Sequence, residues 1–314
     1  MSEPAFERDS SIRSRWLAWC GFVLGALLLV AAIVTLLKGD AVAFREAFDR
    51  VREAPLWAVA VIALGPVINW LLISGCLCLL LRRHGHVGWG EMNALVGSAW
   101  LINHLPMRPG LIGRVGYHKA INGIRVRDAI ESTVWSISLA AVAGVMAIGL
   151  AFALPADAGG LSAGCVIGGP VIVVGLLAFG CRFAERRRFA LLLGAFVLRY
   201  ADLGLWAIRY AVVFWVLGME VGPMEIVLVT GVSQVAQLVP IAGGGLGLRE
   251  WAVAITAGSL GSAFDAALAS DLLNRVFETI AVIPVGVIGS VIVAKRVAAV
   301  RRDRSDASNS EAIA

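Results

Sequence analysis

The sequence predicts an all-α polytopic membrane protein, and three observations carry that prediction. Hydrophobic residues make up 59% of the 314-residue chain and charged residues 16%, against roughly 45–50% and about 25% in soluble domains. The apolar residues do not follow a helical or strand period; they fall in blocks near the ~20 residues that carry a helix across the hydrocarbon core. Lysines and arginines gather beside those blocks, which is the placement the positive-inside rule produces.

A tail over residues 1–15 carries Arg8, Arg13 and Arg15 and precedes a transmembrane domain expected over 16–297. The first span is read at about 16–37. Residues 41–53 place Phe44, Phe48 and Val51 at i, i+4 and i+7 with charges elsewhere, the pattern of an interfacial amphipathic helix. The second span, 55–81, stops at Arg82-Arg83. The block over 91–105 is too short to cross and ends in Asn103-His104-Leu105-Pro106, so it reads as half of a hairpin that enters and turns back. Spans three, four and five are expected at 129–154, 161–180 and 190–217. Two further short blocks, 224–239 and 251–263, flank a glycine-rich loop and form a second expected hairpin. The last span is expected at 271–294, with a disordered tail over 298–314.

Six spans and two hairpins put both tails and the loops after spans two and four on one face, where they hold 14 of the 27 lysines and arginines. The predicted external loops hold Lys38, Arg45, Arg50 and Arg52, matched by acids. Both termini are therefore expected on the cytoplasmic side of a bacterial-type inner membrane. These flanks account for the net charge of +5 without a nucleic-acid partner. Five cysteines (Cys20, Cys76, Cys78, Cys165, Cys181) lie in or beside apolar segments, an odd number that argues against a disulfide framework. Cys76 and Cys78 diverge on a helix, and His84, His86, His104 and His118 read as interfacial or hairpin-flanking side chains. No metal and no other cofactor is expected.

The two hairpin tips echo one another. Asn103-His-Leu-Pro106 is followed by Gly110, Gly113 and Arg114; Gln237-Leu-Val-Pro240 is followed by Gly244, Gly247 and Arg249. A carboxamide precedes each proline by three residues, and the glycines follow at the same two spacings. Three full spans separate the tips, so the hairpins enter from opposite faces. Broken helices in opposed orientation point to an inverted-repeat transporter with its site between the halves; the alternative is that proline and glycine merely end helices.

The stretch Val239-Pro-Ile-Ala-Gly-Gly-Gly-Leu-Gly-Leu-Arg-Glu250 resembles the Pro…Gly-Gly-Leu-Gly-x-Arg-Glu signature of the lysylphosphatidylglycerol synthase transmembrane-region family. Asn103-His-Leu-Pro106 with Gly113-Arg114, then Asp128 and Glu131, resembles that family's earlier Asn-x-x-Pro…Gly…Arg element, although Met107-Arg108-Pro109 interrupts the usual Pro-Gly. The likeness covers about residues 15–297. It implies a flippase-like integral membrane protein. Some members fuse such a domain to a soluble aminoacyl-tRNA-dependent transferase; that half is not expected in this chain, and neither is its activity.

Three groups of residues are candidates for binding. In the loop Pro240, Gly243, Gly244, Gly245 and Gly247, missing side chains let backbone N–H groups converge as in anion-binding nests. Arg249 and Glu250 follow where a half-helix begins, and its dipole favours an anion; a structural Arg–Glu pair in a glycine hinge is the alternative. The first tip supplies Asn103, Pro106, Gly110, Gly113 and Arg114, and the second adds Gln237. On span five, Arg199, Asp202 and Arg209 share one stripe; on span six, Asp271, Asn274, Arg275 and Glu278 share another. Ionisable groups at that depth are costly unless they pair or face a wet cavity. The stripes could interlock structurally or line a headgroup path, since both need the same facing geometry.

The function expected is translocation of an anionic phospholipid or polyprenyl-phosphate lipid between leaflets. Two alternatives stay open: a non-catalytic accessory subunit of a lipid-modifying, glycosyltransferase or hopanoid-type pathway, and a membrane-embedded lipid-modifying enzyme. Against the enzyme, the sequence holds no paired-acid or Asp-rich metal motif, no Ser/His/Asp arrangement and no nucleotide loop. The expected partner is a membrane lipid, with a second copy of the chain or a membrane enzyme as further partners.

Overall fold

The computed structural model describes residues 47–105, 108–153, 186–238 and 245–313, with scattered positions between 23 and 34. Eight helices organise them: α1 (Leu56–Leu81), α2 (Trp89–Ile102), α3 (Pro109–Ile121), α4 (Val126–Ala153), α5 (Arg186–Val216), α6 (Pro223–Leu238), α7 (Leu248–Ser259) and α8 (Phe264–Ile313). There is no strand among the described residues.

Four helices contain segments long and apolar enough to cross a membrane: Leu56–Leu81, Val126–Gly149, Phe189–Val216 and Phe264–Arg302. They correspond to expected spans two, three, five and six. The expected spans over 16–37 and 161–180 lie wholly or mostly outside the described residues. The last helix is longer than hydropathy suggests, running to Ile313 through the tail expected to be disordered. Residues 290–313 contain no glycine or proline and many alanines and arginines, so intrinsic propensity favours continuing the helix.

Alongside a hydrophobic core, several charged residues are buried and many large apolar ones are exposed. Arg209, Arg249, Glu250, Asp271 and Asn274 are fully buried, whereas Leu64, Ile280 and Ile288 are 58–61% exposed. Apolar exposure on this scale marks a surface that another apolar phase covers, and four helices long and apolar enough to cross a membrane fit a bilayer in that role. Trp57 at the start of α1 and Trp215 near the end of α5 lie 5.2 Å apart between ring centroids, both on the outside. The two helices therefore run antiparallel. The helical segment at 47–53 lies at this same end, where Arg50 Nη1 caps the last turn of α5 by donating to the Leu217 carbonyl at 2.5 Å.

The remaining helices form two hairpins, α2–α3 and α6–α7, whose members of 12–16 residues are each too short to span. Each is closed at its base by an acid in the first turn. Glu91 of α2 accepts from Tyr117 of α3 (2.9 Å) and from Asn122 just beyond it (2.8 Å). Glu225 of α6 accepts from Ser262, just beyond α7, at 2.5 Å. Because α1 and α5 are antiparallel and each leads into a hairpin by a short turn, the hairpins open at opposite ends of the molecule.

The packing repeats as well. Helix α2 lies on α8 and α6 on α4; α1 meets α2, α4 and α8, as α5 meets α6, α8 and α4; α3 touches α2 and α4, as α7 touches α6 and α8. Exchanging α1–α4 for α5–α8 maps every one of these contacts onto another, and the extensive α1–α5 contact onto itself. Two glycines permit the equivalent close crossings. A Cβ at Gly97 of α2 would come within 2.9 Å of Val285 on α8, and one at Gly231 of α6 within 2.7 Å of Ile148 on α4. These glycines, like Glu91 and Glu225, are separated by the same interval as Pro106 and Pro240.

Candidate functional site

The hairpin tips meet through Arg108. A residue preceding proline is disfavoured in the helical region, and Arg108, before Pro109, adopts a left-handed backbone with φ 47° at the N-cap of α3. Holding a non-glycine residue there costs of order 1–3 kcal/mol. Its Nη2 donates to the carbonyl of Gln237, near the end of α6, at 2.8 Å.

A cavity of about 250 Å3 lies at this junction. Asn103, Arg108 and Arg114 line it from the first hairpin, Gln234 and Gln237 from the second, Arg199 and Asp202 from α5, Arg275 and Glu278 from α8, and Asn69 from α1. Both predicted stripes and both predicted tips thus contribute to one space. Arg199 Nη1 donates to Asp202 Oδ2 at 2.9 Å, and Asn69 Nδ2 donates to Asp202 Oδ1 at 2.5 Å. Arg114 is buried and donates from Nη2 to Thr133 Oγ1 at 2.8 Å.

Along one side of the cavity runs a wall of paired charges, two of whose members, Arg275 and Glu278, also line it. Arg249 donates from Nε to Asp271 Oδ2 and from Nη1 to Glu278 Oε2, both at 2.9 Å, while Arg275 pairs with Glu250. The Tyr210 hydroxyl bonds Asp271 Oδ1 at 2.5 Å and Ser233 at 2.8 Å. Arg209 lies over the Trp206 ring at 4.2 Å, close enough to Gly65 that a Cβ there would sit 2.5 Å from its Cδ. Its guanidinium reaches Asn69 Oδ1 and the Asn274 carbonyl, both at 3.4 Å. Arg249 and Glu250 therefore do not pair with each other; each pairs across to α8, and neither lines the cavity.

The charges are unevenly paired. Among the described residues Arg199, Arg249 and Arg275 each pair with a carboxylate, whereas Arg114 and Arg209 reach only hydroxyl and carbonyl oxygens. Hydrogen-bonding capacity is left over in the same sense. Arg199 Nε, Gln234 Nε2 and Gln237 Nε2 are buried donors without a partner among the described residues, against one such cavity acceptor, Asn103 Oδ1. Buried polar groups are ordinarily bonded, so this set fits a ligand rich in acceptor oxygens and negatively charged.

The glycines divide by role. Gly110 is a packing residue, since a Cβ there would fall 2.3 Å from the Ala99 carbonyl oxygen. Gly245 and Gly247 hold φ of 71° and 75°, where side chains other than glycine are strained, and Gly247 is the N-cap of α7. Gly113 faces open space. Pro106, Pro240, Gly243 and Gly244 lie outside the described residues. The cavity also uses residues the sequence did not single out for binding: Asn69 within the apolar run of α1, Gln234 one turn before Gln237, and Arg108, which reads in sequence as an interruption of a motif.

One further cluster lies at the end of α1. Ligand atoms of His84, Asp128 and Glu131 come within 4.8 Å of one another. Arg83 holds Glu131 at 2.7 Å and donates to His84 Nε2 at 2.8 Å, and Arg125 holds Asp128 at 3.0 Å. The arginines thus hold one oxygen of each carboxylate and one ring nitrogen of the histidine. No family model, no curated protein and no solved structure matches the chain.

Proposed function

We propose that this protein binds the phosphate-bearing headgroup of an anionic lipid in the cavity between its hairpin tips and carries it between leaflets. The observation that bears the proposal is Arg114, a buried cavity arginine with no carboxylate partner among the described residues, beside the unmet donors Arg199 Nε, Gln234 Nε2 and Gln237 Nε2. An uncompensated charge at membrane depth is costly, and a phosphate is the counter-charge a bilayer supplies in quantity. Arginine also matches its oxygens in a planar, bidentate manner.

The exchangeable packing of α1–α4 and α5–α8, and hairpins that open at opposite ends, support an inverted repeat around this cavity. In such folds the site stays fixed while the halves rock about it. The hairpins' short lengths and the bases closed by Glu91 and Glu225 support a reading in which both re-enter. In the wall of paired charges, Arg249, Glu250 and Asp271 give the site a rigid back, while Arg275 and Glu278 also face the cavity.

The experiment is leaflet transfer of fluorescent phosphatidylglycerol in liposomes holding the purified protein. Arg114→Ala and Arg199→Ala should each slow transfer about ten- to a hundredfold, by the roughly 1.5–3 kcal/mol of a charge-assisted hydrogen bond. Arg302→Ala, on the exposed end of α8, should behave as wild type. Wild-type transfer by both cavity variants at matched thermal stability would take the cavity out of the transport path.

A further inference from the structure

Beside the charged cavity lies a second, larger and mostly apolar pocket of about 380 Å3, between α2, α3 and the late part of α8. We propose that it holds one acyl chain of the phospholipid whose headgroup occupies the cavity, an inference that rests on the function proposed above. Its size is within the roughly 300–1,000 Å3 of small-molecule sites. Leu95, Ile102, Ile121, Val293, Val297 and Val300 form its apolar walls.

Two features tie this pocket to the charged cavity and give it a chain-like occupant. Ala99 and Arg114 line both spaces. A single guanidinium therefore stands at the boundary between a charged chamber and an apolar one, as a phosphate stands between a headgroup and its hydrocarbon. The second feature is the composition of α3. Gly110 is needed for the close approach to α2, but a Cβ at Gly113 or Gly116 would meet nothing within 4 Å. Neither packing nor backbone conformation explains those two glycines, both of them inside a helix, where glycine is less favourable than alanine. What their missing side chains do is keep the slot open beside Arg114, on the face that α8 closes with valines.

Filling the slot without touching the charges tests the inference. Gly116→Leu fills it from α3, and Val297→Trp fills it from the opposite wall on α8. Native mass spectrometry of wild type and both variants would be run with dioleoyl- and dihexanoyl-phosphatidylglycerol, which share a headgroup and differ in chain length. Wild type should retain the dioleoyl lipid at least tenfold more strongly than the dihexanoyl one. Both filling variants should lose that preference while binding the dihexanoyl lipid as wild type does. An unchanged dioleoyl preference in either folded variant would overturn the acyl-chain assignment and leave the headgroup site standing. Wild type that binds neither lipid, or binds both no differently after Arg114→Ala, would overturn the headgroup site and the chain pocket with it. Gly116→Ala serves as the folding control, because its methyl group meets open space.

Discussion

Arg108 and Gln237, far apart in the sequence, join the tips of the two hairpins by a 2.8 Å hydrogen bond from guanidinium to backbone carbonyl. Arg108 does this from a left-handed backbone, so the contact is held against local strain. Backbone strain of this kind clusters at functional sites. Arg108→Gly and Arg108→Ala both remove the bridge, but only glycine relieves the backbone. The glycine variant should be the more stable of the two by about 1 kcal/mol, measured by thermal unfolding in nanodiscs. Both variants should raise amide exchange around 103–111 and 234–238. Equal stability of the two would mean that the left-handed conformation is not retained in the membrane.

Arg249 is expected to matter for stability before it matters for binding. It neutralises two carboxylates, Asp271 and Glu278, and all three side chains are largely or wholly buried. Removing one member of a buried ionic group strands the others and costs about 3–5 kcal/mol. Arg249→Met should therefore sharply lower yield and melting temperature, whereas Arg302→Ala should leave both unchanged. Arg249→Lys keeps the charge but cannot address two carboxylates with a planar fork, so it should fall between. A well-folded Arg249→Met at wild-type melting temperature would count against the wall of paired charges.

Much of this arrangement is legible in the sequence, and the remainder is hidden for identifiable reasons. Hydropathy locates the four long helices because length and apolarity are local properties. The stripe of Arg199, Asp202 and Arg209 follows from helical periodicity, which is local too. Partners are not local: Arg249 reads as a headgroup ligand because it follows a glycine loop, and only the packing of α7 on α8 brings Asp271 and Glu278 to it. Asn69 is one polar residue in an apolar run, and its role depends on α5 lying alongside. The equal intervals between Glu91 and Glu225 and between Gly97 and Gly231 are present in the sequence, but short prolines-and-glycines motifs draw attention to the tips instead of the bases.

Asp202 has a different kind of dependence. Its two oxygens are held by Arg199 and Asn69, one from its own helix and one from α1. Asn69→Ala should cost about 1–3 kcal/mol by leaving a buried charge partly unsatisfied. Asp202→Asn should cost more, because it strands the buried Arg199 guanidinium and replaces one accepting oxygen with an amide donor. Unfolding midpoints of the two single variants and the double variant would give the coupling; strictly additive effects would mean that Asn69 and Asp202 do not share a bond in the membrane.

Gly97 and Gly231 permit a sharper test of the repeat. Each lets its hairpin's entering helix press against a long helix, Gly97 against Val285 of α8 and Gly231 against Ile148 and the Gly144 carbonyl of α4. Alanine at either site forces a contact tighter than side chains tolerate, and such overpacking costs about 1–3 kcal/mol. Gly116→Ala, in open space, should instead stabilise by up to about 1 kcal/mol. If the two halves are inverted copies that rock about the cavity, the strain at Gly97 loosens one face and the strain at Gly231 loosens the other. A cysteine at Gln234 in a cysteine-free background would read this out by membrane-impermeant labelling from each side of oriented vesicles. Gly97→Ala and Gly231→Ala should shift its accessibility in opposite directions relative to the unmodified background, at comparable cost in stability. Shifts in the same direction would leave the matched packing as architecture and remove alternating access from the proposed function.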